Sequence, residues 1–204
     1  MTKSSPRAGV VKVDVSDPSA VAALFDAASR AFGPVGALVN NSGVMKLARL
    51  AATDDASFDQ HVSVNLKGVF NCLREGARRM GEGGRIVSFS SSVVGLYQPT
   101  CGVYAATKAA VEAMTHTLAK ELGPKGIAVN AIAPGPVATK LFLDGKSDEQ
   151  VQTVTKIDPD GPAWRARRHR RRGLIPVRSR CALGYRASTA RQWRRDLRGE
   201  TPWA

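Results

Sequence analysis

Four short apolar runs, each ending in polar or glycine-rich punctuation and each divided from the next by a helical pattern, constrain the fold of this chain more than any other feature. The runs are VVKVDVSD (residues 10–17), GALVNNSG with a strand expected over Ala37–Asn40, RIVSFS from Arg85, and IAVNAIAPG from Ile127. Apolar and β-branched runs of this length read as strands where turn residues bound them. After the first, Ser16 or Asp17 can cap a helix with Pro18 in its first turn. Val21, Leu24, Phe25, Ala28 and Phe32 then recur at helical spacing until Gly33 stops it. A longer helix is expected over about 54–80, with Phe58, Val62, Leu66, Val69, Phe70 and Leu73 as its apolar stripe, and another over 103–122. Strands alternating with helices make a parallel sheet covered on both faces, so the expected class is α/β with a doubly wound parallel sheet.

In open sheets of this kind, ligands bind beyond the carboxyl ends of the strands. The polar punctuation falls there: Asp14, then Asn40-Asn41-Ser42-Gly43, then Ser90-Ser91-Ser92, then Pro134-Gly135. The helix expected over 103–122 carries YAATK, which sets Tyr104 and Lys108 one turn apart on one face. An ammonium beside a phenol favours the phenolate and is expected to lower the tyrosine's pKa from about 10, giving a proton donor and acceptor usable near neutrality. The bland reading of the same spacing is a tyrosine packed beneath a lysine stem.

At 204 residues, 43% of them hydrophobic, the chain has material for one domain with a sizeable core. No run reaches membrane-spanning length, and MTKSSPRAG lacks the apolar block of a secretory leader, so a soluble cytoplasmic protein is expected. Cys72, Cys101 and Cys181 form no C-x-x-C pair, which argues against a disulfide framework or a metal site and fits free thiols. A net charge of +13 and a pI near 10.3 would ordinarily point to nucleic acid. The distribution argues against it: residues 158–204 hold 13 Arg, no Lys and 4 acids, whereas residues 1–157 hold 17 basic and 13 acidic residues. The body is ordinary, and the basicity belongs to the tail.

Taken together, the site candidates resemble those of the short-chain dehydrogenase/reductase family. NNSG stands where the family has N-N-A-G, VNLKGVF carries its helix asparagine at Asn65, SFSSS its serine, YAATK its Y-x-x-x-K, and NAIAPGPVAT its post-strand P-G turn and threonine. Order and spacing match over about residues 10–157. The resemblance implies a partial Rossmann-type sheet there and an NAD(P)-dependent oxidoreductase that interconverts a secondary alcohol and a ketone by hydride transfer. It implies Tyr104 as general acid/base, Lys108 as the residue that lowers its pKa and holds the nicotinamide ribose, and Asn65 as the anchor of a water in the proton relay. A serine would hydrogen-bond the substrate oxygen. Strand register and a separation of thirteen from Tyr104 select Ser91, the motif SVVG selects Ser92, and register is the firmer guide. For the cofactor, NAD or NADP, the resemblance implies Asp14 and Val15 at the adenine, Asn41 on its ribose side, Pro134 and Gly135 beneath the nicotinamide, and Val137 and Thr139 at the carboxamide. It further implies a small carbonyl or alcohol substrate, no metal, and a homo-oligomer formed through the two long helices.

The chain also departs from the family. The phosphate-binding turn T-G-x-x-x-G-x-G has no counterpart in the sequence, and the family's sheet would place two further strands between residues 10–13 and Ala37–Asn40. The expectation is a chain lacking the first βαβ unit and binding the cofactor weakly or not at all, because that turn brings backbone N–H groups and a helix N-terminus to the pyrophosphate. After Ile157 the resemblance is expected to stop, with residues 158–204 a disordered basic tail lacking the last strand. Its Arg-only basicity reads as GC-rich codons out of frame: one base later, residues 174–188 permit S-F-L-S-G-P-D-A-R-W-V-T-G-Q, similar to the family's own C-terminal segment. Two other readings stand beside the enzyme. One is a nucleic-acid-binding protein acting through RARRHRRR at residues 165–172, with contact otherwise only nonspecific, and the other is a noncatalytic dimerising remnant.

Overall fold

A computed structural model describes residues 8–135 together with Ser147 and Glu149. Strands β1 (Ala37–Asn40), β2 (Arg85–Phe89) and β3 (Ala128–Ile132) pair in parallel in the order β1-β2-β3. Asn40 lies opposite Ser88 and Phe89 opposite Ile132, so the carboxyl ends of the strands form one edge. The helices are α1 (Pro18–Phe32), α2 (Asp55–His61), α3 (Val69–Arg79), α4 (Val93–Leu96) and α5 (Gly102–Leu122). Val69, Leu73 and Met80 of the α3 region meet Ile86 of β2, Val129 of β3, and Val111 and Leu122 of α5 in one core. Val21 and Phe25 of α1 join Cys72 and the partly buried Leu38 in a second. Leu38, Ile86 and Val129 share one face of the sheet by register, and α1, α3 and α5 all pack there. The opposite face, carrying Val39, Val87 and Asn130, has only partly buried or exposed side chains, so the described residues cover one face where two were expected.

The run at residues 10–13 pairs with no strand among the described residues. Val10 is fully exposed, while Val13 and Val15 lie against the α1 core. A strand exists only through a neighbour's backbone groups, and here side-chain packing alone holds the segment. Asp17, not Ser16, caps α1: its carboxylate accepts from the Ser19 N–H at 2.8 Å, and Gly33 ends the helix at φ 85°.

The helix expected over about 54–80 is continuous but not uniformly α. Asp54 caps α2, and a π-helical stretch over Val62–Gly68 joins it to α3. That widened stretch shifts the phase of everything beyond it. The buried face becomes Ser57, His61, Asn65, Val69 and Leu73, while Phe58 and Phe70 of the expected stripe point outward, each about half exposed. Gly68 is needed at the closest approach, since a Cβ there would lie 2.6 Å from Val15 Cγ2.

Candidate active site

At the carboxyl end of β2 the chain runs Phe89-Ser90-Ser91-Ser92 and turns into α4. The Ser90 N–H donates to the Ile132 carbonyl at 2.7 Å and the Ser92 N–H to the Pro134 carbonyl at 3.0 Å, which locks this segment against the end of β3. Helix α5 faces it with Tyr104, Thr107, Lys108 and Val111, all buried at helical spacing.

The Ser91 hydroxyl stands close enough to the Tyr104 phenol to pull its proton affinity down. Lys108 Nζ donates to the Phe89 carbonyl at 2.8 Å and sits 5.7 Å from the centroid of the Tyr104 ring. Ser92, by contrast, is buried and uses its backbone to start α4, its carbonyl accepting from the Gly95 N–H. The structure therefore brings Ser91, Tyr104 and Lys108 together and leaves Ser92 beneath them.

Asn65 sits behind this cluster, completely buried within the π-helical stretch. Its Oδ1 accepts from the Val44 N–H at 2.8 Å, and its Nδ2 donates to the Val44 carbonyl at 2.9 Å and to Thr107 Oγ1 at 3.3 Å. Both backbone groups of Val44 are thus held by one amide, so the asparagine fixes the loop after β1. Gly43 begins that fixed loop: a Cβ there would come 3.3 Å from Asn65 Oδ1 and 3.6 Å from Lys108 Nζ. His61, one turn before Asn65, is equally buried. Its Nδ1 donates to the Ser57 carbonyl at 2.7 Å, its Nε2 accepts from the Lys46 N–H at 3.1 Å, and its ring meets Tyr104 edge-on at 6.3 Å.

Burial pushes the Tyr104 phenol above its ordinary value; the Ser91 hydrogen bond pulls it back, and Cys101 adds a further upward push. The lysine does not lower it as the sequence led one to expect. The ammonium is directed at the Phe89 carbonyl, and desolvation acts on both groups. Burial brings Lys108 itself down from 10.5 to about 8.

Of the remaining cofactor candidates, Asn41 and the Pro134-Gly135 turn follow β1 and β3 at the same carboxyl edge. Asp14 is exposed, its carboxylate held down by the Ser16 hydroxyl and N–H at 2.7 and 2.9 Å. Val15 packs on Gly68 and its carbonyl accepts from Asn71 Nδ2 at 3.0 Å, whereas Asn41 is exposed just after β1. Pro134 and Gly135 follow β3. None of these hydrogen-bonds the Ser91-Tyr104-Lys108 cluster, and Val137 and Thr139 lie outside the described residues. Among the described residues no group of metal-ligating side chains converges. Sequence reasoning missed His61 and Thr107, and named Gly43 only as punctuation after the second run. The signals were present: a histidine four residues before Asn65, a threonine inside YAATK, and a glycine closing NNSG.

A family model described as enoyl-(acyl carrier protein) reductase matches residues 1–165. A short-chain type dehydrogenase/reductase of Picea abies is 50% identical over 157 residues, covering 75% of this chain and 58% of that protein. An NADPH-dependent aldehyde reductase-like protein, chloroplastic, of Arabidopsis thaliana is 42% identical over 198 residues, covering 95% of this chain and 70% of the relative. Both the family match and the Arabidopsis match run past Ile157, where the resemblance was expected to stop. Among solved structures, a putative dehydrogenase from Burkholderia cenocepacia with bound NADP superposes with a TM-score of 0.70 at 29% identity, covering 72% of this chain and 56% of that one. The chain spans little more than half the length of the spruce and Burkholderia proteins.

Proposed function

The chain belongs to the short-chain dehydrogenase/reductase family, and we propose that it is an NADP(H)-dependent oxidoreductase interconverting a carbonyl and an alcohol on a small molecule, a ketone and a secondary alcohol in the first instance. The observation that carries this reading is the buried Ser91-Tyr104-Lys108 cluster at the carboxyl edge of the sheet. Two relatives support the choice of cofactor, one named as NADPH-dependent and one solved with NADP.

The residues present fit a nicotinamide nucleotide. Gly43 stands beside Lys108, where a Cβ would press on Asn65 Oδ1 at 3.3 Å, and Lys108 keeps donors beyond its one hydrogen bond to a described residue. Lys108, Asn41, Asp14, Val15 and the Pro134-Gly135 turn are the residues that would hold it, with Val137 and Thr139 beyond the described part. A bound nicotinamide would supply the hydride for the carbonyl carbon in reduction and accept it in oxidation. The chain's own part is the proton and the charge. Tyr104 gives its phenolic proton to the carbonyl oxygen in reduction and takes one back in oxidation. Ser91, beside the phenol, offers its hydroxyl to the same oxygen as negative charge develops. Lys108, charged below about pH 8, keeps its remaining donors for the nicotinamide ribose. Asn65 holds the loop around Gly43 and Val44 rigid, so the site is formed in advance.

The test is turnover by the full chain with NADPH and NADH against ketones, aldehydes and 3-oxoacyl thioesters, read from the loss of reduced-nicotinamide absorbance. Carbonyl-dependent oxidation that disappears in Tyr104→Phe is expected. Turnover persisting in Tyr104→Phe would overturn the reading.

A further inference from the structure

Ser90, part of the polar punctuation after β2, is buried, and its side chain faces α5 and not solvent. Its hydroxyl donates to Glu112 Oε1 at 2.7 Å and lies 3.3 Å from the Lys108 carbonyl oxygen. Its backbone N–H is held on the other side by the Ile132 carbonyl at 2.7 Å. Glu112 stands one turn beyond Lys108 and two beyond Tyr104, so the three share a face of α5. Consecutive positions at the end of β2 therefore take partners from successive turns of that helix: the Phe89 carbonyl from Lys108, Ser90 from Glu112, and Ser91 from Tyr104.

We infer that Ser90 and Glu112 are positioning residues, a clamp that sets the end of β2 against α5 so that Ser91 meets the Tyr104 phenol. Ser90 touches neither Tyr104 nor the carbonyl to be reduced, and it acts through its neighbour. A serine hydroxyl attached to a strand end pinned only by its backbone can rotate the following residue away. With Ser90 bonded on both sides, to β3 through its N–H and to α5 through its hydroxyl, the chain direction entering Ser91 is fixed. Glu112 serves as an acceptor, so the side-chain oxygen matters and the charge does not.

For turnover this inference rests on the proposed function, so its decisive readout is independent of activity. At neutral pH the ζ-carbon resonance of ring-labelled Tyr104, assigned by its loss in Tyr104→Phe, reports the phenol's hydrogen bond in the full chain. Ser90→Ala and Glu112→Ala are expected to move that resonance in the same direction as Ser91→Ala. Ser90→Ala added to Ser91→Ala is expected to move it no further, and Glu112→Gln, which keeps the acceptor, to leave it in place. In the enzyme assay Ser90→Ala should lower kcat about tenfold with little change in KM, and should lower nothing more once Ser91 is alanine. An unmoved resonance in Ser90→Ala overturns the inference, as does a further shift when Ser91 is already absent. So does Glu112→Gln behaving like Glu112→Ala. Should Ser90→Ala fail to fold, the Glu112 pair answers the same question. Absence of turnover in the parent chain bears on the proposed function alone and leaves the resonance test intact.

Discussion

Lys108 is the residue whose chemistry the fold alters most. Its ammonium is held at about 8 against an ordinary 10.5, so the unfolded chain binds that proton more tightly than the folded one. Below about pH 8 both states are charged and the full burial penalty, on the order of 3 kcal/mol, is present. Between the two values the folded protein sheds the charge first, and stability rises with pH. Denaturant midpoints measured from pH 7 to 10 should therefore climb in the parent chain and lose that climb in Lys108→Met; an identical profile in the two would remove the buried ammonium from the account. The serines make a second test at this scale. Ser91→Ala should lower kcat by about a hundredfold, the range for a lost hydrogen-bond donor to developing oxyanion charge, whereas Ser92→Ala should act mainly on stability. A larger loss of kcat in Ser92→Ala would mean that the loop motif and not strand register chose the serine.

Among the elements, the π-helical stretch over Val62–Gly68 is the one that the periodicity of the sequence concealed. An α-helical period over 54–80 predicted Phe58 and Phe70 inward, because every position was counted at one constant angle. In α2 Ser57 and His61 already face inward and Phe58 outward; the widened turns keep Asn65, Val69 and Leu73 on that buried face and leave Phe70 outside it. Gly68 marks where the stretch ends and the segment carrying Val15 crosses it. Gly68→Ala should destabilise by about 1–3 kcal/mol, because the new methyl would overlap Val15 and one backbone must shift. Thermal unfolding reads this directly, and Val15→Ala in the same chain should recover part of the loss by opening the space. Destabilisation that Val15→Ala does not relieve would place the strain elsewhere.

Across the whole molecule, the described sheet is packed on one face and open on the other, with Val39 60% exposed on its outermost strand. An apolar edge strand of this kind is a template for pairing with other chains. Val39→Thr should reduce concentration-dependent association, measured by light scattering, and an unchanged association would place the contact elsewhere. Homo-oligomer formation through the two long helices remains a proposal, with the exposed Phe58 and Phe70 on the α2–α3 unit as the surface to probe. The tail at residues 158–204 and the frame-shift reading of it lie outside the described residues. Neither those residues nor any relative reported above supports a nucleic-acid role. No helix among the described residues is long and apolar enough to cross a membrane, and the Arabidopsis relative is named as chloroplastic, so the cytoplasmic expectation gains no support from that relative. From sequence alone came the α/β alternation, the positions of β1 and α5, and the residue types of the site, because local periodicity and short motifs are carried by neighbours along the chain. Which face of the 54–80 helix is buried, that residues 10–13 form no ladder among the described residues, that Ser90 reaches Glu112, and that burial raises the tyrosine's proton affinity were decided only in three dimensions. Each depends on desolvation or on partners far away in sequence, and neither can be read from spacing.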